Sequence, residues 1–144
     1  MVLKKKIKIK GVIDRVDRVN GKLRIIDYKS GKCDDSKVLL KLNKTKSQEE
    51  VLIESIKKGW NFLLQLVTYL KLYKDKHAEI ANEAGIISLV DLKNSPFYLT
   101  NESSSDHEDL ILIYEEVIQS ILEDIYAVDK PFEHSSRSNY CSFC

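Results

Sequence analysis

The sequence predicts an α/β fold in which a mixed β-sheet is flanked by helices. Three observations predict it. An Asn-Gly dipeptide joins two strand-like runs near the start, two long segments repeat apolar residues at helical spacing, and a short apolar run lies between those segments. The order is therefore hairpin, helix, strand, helix, in a chain of 144 residues, a length that suits one domain with its own core.

The hairpin is expected over residues 4–30. Ile7, Ile9 and Ile13 alternate with Val12 and Val16 on the other face, interrupted by Gly11, and a second run carries Leu23, Ile25, Ile26 and Tyr28. Between the runs, Asn20-Gly21 signals a two-residue type I′ turn. With those two residues as the loop, Val19 faces Lys22, and the same register carries Asp14 opposite Asp27. Directly opposed Cβ atoms lie roughly 4.5–5.5 Å apart, where like charges destabilise, so the acidic pair calls for a cation. Period-2 alternation places Lys29 on the face of Asp27. Asp17 falls on the other face, opposite Arg24, and reads as half of a cross-strand ion pair.

Residues 33 to 47 read as a loop or lid. Ser47, followed three residues later by Glu50, forms a capping-box signal that opens a helix over 47–74. Its stripe Leu52, Ile56, Trp60, Leu63, Val67 and Leu70 is expected to pack on the sheet. Gln65 and Tyr69 are four apart on nearly the opposite side, where they share a face with Phe62 and Leu72. The run 84–92 reads as a buried strand ended by Asn94-Ser95-Pro96. A second capping signal, Ser105 to Glu108, opens a helix over 106–128 with Leu110, Tyr114, Val117, Ile121 and Ile125 on one face; Pro131 stops it. Residues 131–144 read as an irregular tail.

Composition narrows the function classes. With 43% hydrophobic and 31% charged residues, 5 Gly and 2 Pro, disordered and fibrous readings fit poorly. No apolar run reaches the roughly 20 residues of a membrane-spanning helix, and the lysine-rich start lacks the apolar core of a signal peptide, so the expected compartment is cytoplasmic. Charge is uneven: residues 1–46 hold 15 Lys and Arg against 5 Asp and Glu, whereas residues 47–144 hold 8 against 17. The basic front suits phosphates, and equally suits a lysine face balanced by acidic helices. Cys33 reads as a free thiol. Cys141 and Cys144 form a C-x-x-C that supplies two of the four ligands a metal or cluster site usually takes. His77, His107 and His134 read as surface residues.

The chemistry-bearing constellation is Asp14, Asp27 and Lys29. Two facing carboxylates suit a hard divalent cation such as magnesium, able to polarise a phosphoryl oxygen and acidify a bound water, and equally suit a solvated edge where Lys29 neutralises one of them. The text Gly11-Val12-Ile13-Asp14-Arg15-Val16-Asp17, then Ile25-Ile26-Asp27-Tyr28-Lys29-Ser30-Gly31-Lys32, resembles the RecB-like nucleases of the PD-(D/E)XK superfamily. Downstream, Gln65-Leu66-Val67-Thr68-Tyr69 is similar to the Q-x-x-x-Y motif on the helix that follows the catalytic hairpin in that family. The resemblance implies a restriction-endonuclease-like core and an Mg2+- or Mn2+-dependent deoxyribonuclease, an exonuclease module working beside a helicase in DNA repair. It implies that Asp14, Asp27 and the Tyr28 carbonyl hold the metal, that Lys29 assists the attacking water, and that Gln65 and Tyr69 support the site and touch DNA.

The match has departures. Ile13 stands where the superfamily motif has proline. Only ten residues precede Gly11, so the family's helical segment with its additional metal ligand is expected to be missing and the chain to be a piece of a longer protein. Cys141 and Cys144 resemble the start of a cysteine cluster that holds iron and sulfur in relatives, a cluster expected only in a longer parent. Two alternatives stay open: a non-catalytic DNA-binding or scaffolding module, and a standalone nuclease of the CRISPR-adaptation type.

Overall fold

In the computed structural model of the chain, residues 6–40, 47, 50, 52–54, 61–101, 107–129 and 131 are described. The fold class is α/β, as the sequence predicts. Strands β1 (Arg15–Val19), β2 (Lys22–Lys29), β4 (Glu83–Ser88) and β5 (Phe97–Tyr98) form one mixed sheet in the order β1-β2-β4-β5. β1 pairs antiparallel with β2, β2 parallel with β4, and β4 antiparallel with β5. A second, two-stranded sheet joins β3 (Leu39–Leu40) to β6 (Thr100–Asn101). Helix α1 (Asn61–His77) packs on β2 and β4, and α2 (His107–Tyr126) packs on α1.

The hairpin register is the expected one, with Val19 opposite Lys22 and Arg15 opposite Ile26. Asn20 (φ 52°) and Gly21 (φ 80°) supply the two left-handed residues that a type I′ turn needs. The strand expected from Lys4 is shorter, because β1 starts at Arg15 and residues 6–13 carry no regular structure. Ile7 and Ile9 stand exposed at a groove that Leu72 of α1 and Tyr114 and Ile118 of α2 also line. Gly11 crosses α1 closely: a Cβ there would stand 3.0 Å from the Tyr69 ring and 3.1 Å from Leu72.

The core lies between one face of the sheet and the helices. Leu23 and Ile25 of β2, Ala84 and Ile86 of β4, Leu63, Leu66, Val67 and Leu70 of α1, and Leu110, Ile111, Tyr114 and Val117 of α2 are buried together. Helix α1 is thus covered on more of its circumference than one stripe requires, since Leu66 and Tyr69 are buried as well. The capping box is formed: the Glu50 amide donates to Ser47 Oγ at 3.2 Å and the Ser47 amide to Glu50 Oε2 at 2.8 Å. Ile56, Trp60 and Ser105 lie outside the described residues. α1 ends at His77 rather than Lys74 because Ala78, at φ 55°, returns its N–H to the Lys74 carbonyl. α2 spans nearly the expected range, with Ile125 at its exposed end.

The 84–92 run is divided. β4 ends at Ser88, and Leu89, Val90 and Leu92 stand exposed on the turn that follows. β3, β5 and β6 are two residues each, too short to show a period. The expected loop at 33–47 holds a 3-10 turn (Asp35–Lys37) and then β3. Cys33 is a buried thiol. Among the described residues no helix is long and apolar enough to cross a membrane.

Charge ties the basic front to the acidic rear. Arg18 pairs with Glu79 at 2.5 Å and Lys22 with Glu83 at 3.1 Å; Lys71 meets Glu115 and Lys74 meets Glu108 across the two helices. The Asp17–Arg24 pair is bidentate, at 2.8 and 2.9 Å, and Arg15 closes on Asp17 from the other side at 2.6 Å. Arg24 chiefly, with Arg15, holds the Asp17 carboxyl below its ordinary range. A depressed folded-state pKa contributes stability above the unfolded value and loses it as pH falls through the folded one. Asp17→Asn is therefore expected to melt below the wild type at pH 7, with the gap closing below about pH 4. Thermal melts across that range check it; a constant gap would contradict the assignment.

Candidate active site

The site is built at the carboxyl ends of the parallel strands β2 and β4. Asp27 and Lys29 alternate onto the β2 face that meets α1, and Asp14 immediately precedes β1, whose last pair with β2 is Arg15 opposite Ile26. Asp14 is exposed, and its Oδ2 accepts the Tyr28 amide at 2.9 Å, which anchors the carboxylate to the neighbouring strand.

Asp27 is only 3% exposed. A buried carboxylate needs partners, and three side chains supply them. Lys29 Nζ stands 2.8 Å from Oδ2. Gln65 Nε2 donates to Oδ1 at 3.2 Å and to the Tyr69 hydroxyl oxygen at 2.8 Å, while the Tyr69 hydroxyl donates towards Oδ1 at the longer distance of 3.5 Å. Oδ1 is thus claimed by α1. Oδ2 is buried, accepts no well-aligned hydrogen bond, and has the Lys29 ammonium as its charge partner.

The spacing of Gln65 and Tyr69, one helical turn apart, aims both at the same oxygen. They therefore face the sheet, although the sequence places them nearly opposite the main apolar stripe; α1 uses one face against the sheet and another against α2. Two participants escaped the sequence reading. Phe62 lies with its ring 5.6 Å from Lys29 Nζ, within cation–π range, and its only signal was the face it shares with Gln65. Ser88, fully buried opposite Lys29, donates its hydroxyl to the Gly31 carbonyl at 2.9 Å and fixes the chain just past the site. Its signal was a polar residue within an apolar run.

The donor set fits a hard divalent cation. Asp14 and Asp27 present carboxylate oxygens and one of these, Asp27 Oδ2, is buried without an aligned donor, as expected of a ligand atom; magnesium accepts one or two carboxylates and completes its shell with carbonyl and water oxygens. Among the described residues no group of three or more His, Cys, Asp or Glu assembles as a metal site. His107 Nδ1 lies 2.8 Å from the Ala81 carbonyl and His77 stacks on Tyr73, so neither points to a ligand role. Cys141, Cys144 and His134 lie outside the described residues.

Asp14 before β1, Asp27 and Lys29 of β2, and Gln65 and Tyr69 of α1 are thus gathered at one end of the sheet. The chain belongs to the PD-(D/E)XK nuclease superfamily, whose family model matches residues 2–144. No curated protein and no solved structure matches it significantly.

Proposed function

We propose that the chain is a metal-dependent deoxyribonuclease that hydrolyses phosphodiester bonds at Asp14, Asp27 and Lys29. The observation that carries the reading is the convergence of Lys29, Gln65 and Tyr69 on a buried Asp27 whose second oxygen has no aligned hydrogen-bond donor. Asp14, Asp27 and the Tyr28 carbonyl would hold magnesium or manganese. When bound, that ion supplies polarisation of a phosphoryl oxygen and a more acidic water. Lys29 orients the attacking water and neutralises charge on the phosphate. Gln65 and Tyr69 are positioning residues, holding Oδ1 so that Oδ2 faces the reacting group.

The finer reading is a RecB-like exonuclease that works with a helicase in DNA repair, supported by the Asp14, Asp27-x-Lys29 and Gln65-x-x-x-Tyr69 order. Labelled linear duplex and a covalently closed circle test it together. Cleavage of the linear DNA alone, in magnesium or manganese and abolished by chelation, is the expected outcome. Cutting of the circle would replace exonuclease with endonuclease, and salt-sensitive binding without cleavage would favour a non-catalytic DNA-binding module.

Removing the braces should cost less than removing a ligand. Gln65→Ala and Tyr69→Phe are each expected to lower the cleavage rate roughly 10- to 100-fold, the range for groups that orient a ligand. Their metal titrations should show weakened rather than absent binding. Full activity in both variants would remove α1 from the site.

A further inference from the structure

Strand β1 is an edge. It stands first in the order β1-β2-β4-β5, and among the described residues no strand pairs with its outer side. Four of its five residues are exposed, Val16 at 42% and Val19 at 39% among them. A row of unpaired N–H and C=O groups beside exposed valines is a template for another strand, and sequences usually blunt it with like charge, proline or a bulge. Here the ladder to β2 runs without a bulge, no proline is present, and the strand Arg15-Val16-Asp17-Arg18-Val19 carries charges of both signs.

The hairpin turn fixes which backbone groups face outwards. Residues flanking a two-residue loop bond to each other, so Val19 and Lys22 form a bonded pair, and alternation makes bonded pairs of Asp17 with Arg24 and Arg15 with Ile26. Val16 and Arg18 therefore turn their N–H and C=O groups away from β2. A copy of the strand added antiparallel must set an outward residue against an outward residue, which leaves few registers. Val16 against Arg18 opposes Asp17 to Asp17; Arg18 against Arg18 opposes two guanidinium groups; Asp14 against Val16 opposes Arg15 to Arg15. Directly opposed like charges destabilise, and of these registers Val16 against Val16 is the one without them. It sets Arg15 against Asp17 twice and carries Arg18 of each copy level with Asp14 of the other.

We propose that β1 pairs antiparallel with β1 of a second copy of the chain, Val16 on Val16, so that the sheet continues across a two-fold axis. Charge complementarity decides the occupant. Asp14-Arg15-Val16-Asp17-Arg18, laid against itself in reverse, meets an opposite charge at every charged position. A two-fold axis normal to the sheet keeps each residue on its own face, so the valines meet on the side of α1 and the Arg15–Asp17 pairs form on the other. Both exposed valines lose water in the process, Val16 against its equivalent and Val19 against the chain just before Asp14. The strand is only five residues long, so the dimer belongs to the weak class of small interfaces and is expected in the micromolar range. The inference stands apart from the nuclease reading, since it uses the outer edge of the hairpin and none of the chemistry at Asp27.

Sedimentation equilibrium of the full chain, over a concentration series spanning the micromolar range, tests the pairing. The wild type is expected to pass from monomer to dimer. Val16→Pro removes an outward N–H and no hairpin bond, so it should weaken dimerisation about tenfold or more, while its melting temperature in dilute, monomeric solution stays within a few degrees of the wild type. Arg15→Glu keeps every backbone bond and places a carboxylate opposite Asp17 in both halves of the pairing; it should weaken the dimer about tenfold as well. Leu112→Ser, exposed on α2, should leave the dimer unchanged. A monomer throughout the series, or a dimer that either folded β1 variant leaves unchanged, overturns the proposal.

Discussion

Asp27→Ala and Asp27→Asn are each expected to lower metal-dependent DNA cleavage by at least about a thousandfold, close to 4 kcal/mol of barrier. The magnitude follows from where Asp27 sits. It is the one described carboxylate that is both buried and addressed by Lys29, Gln65 and Tyr69, so no neighbour can take its place. The two substitutions differ in their effect on folding. Asparagine keeps the volume and an oxygen for Gln65, so its melting temperature should remain within a few degrees of the wild type; alanine removes the oxygen that Gln65 and Tyr69 address and should melt lower. Cleavage within tenfold of the wild type by the asparagine variant would place the chemistry elsewhere.

Lys29→Met should separate catalysis from metal binding. The ammonium stands 2.8 Å from the oxygen that a metal would use, so it serves as the cation of the metal-free site. Its loss leaves a buried carboxylate uncompensated. Breaking a fully buried pair costs roughly 3–5 kcal/mol, and because Lys29 is partly exposed the expected loss is smaller, about 2 kcal/mol. Cleavage should fall at least about a hundredfold, since the group that orients water is gone. Metal should then stabilise the variant more than it stabilises the wild type, because the bound ion restores the missing charge. Thermal melts with and without manganese read both effects. Equal stabilisation of the two proteins would show that Lys29 does not compensate Asp27.

The hairpin chemistry was legible because it is local. Asn20-Gly21 dictates the turn, the turn dictates the register, and the register sets Asp17 opposite Arg24 and brings the strand start next to Asp14, which accepts the Tyr28 amide. What required tertiary structure was less accessible. Gln65 and Tyr69 share a face by their spacing, but that this face meets the sheet follows from α1 being covered on two sides. Ile7 and Ile9 alternate like a strand and instead stand exposed at a groove beside the two helices. Leu89 and Val90 continue an apolar run yet fall beyond its last paired residue, where hydrophobic composition gives no information about burial. β5 pairs through Gly85, whose missing Cβ admits the Tyr98 ring, a close approach no period could announce.

Calorimetric titration of magnesium or manganese into the full chain and into Asp14→Ala tests the central claim most directly. Asp14 is exposed and accepts the Tyr28 amide, so its substitution alters the site without opening the core. The account predicts one binding site in the wild type, lost or weakened at least about tenfold in the variant. Equal binding by the two proteins, or none by folded wild type, would contradict it.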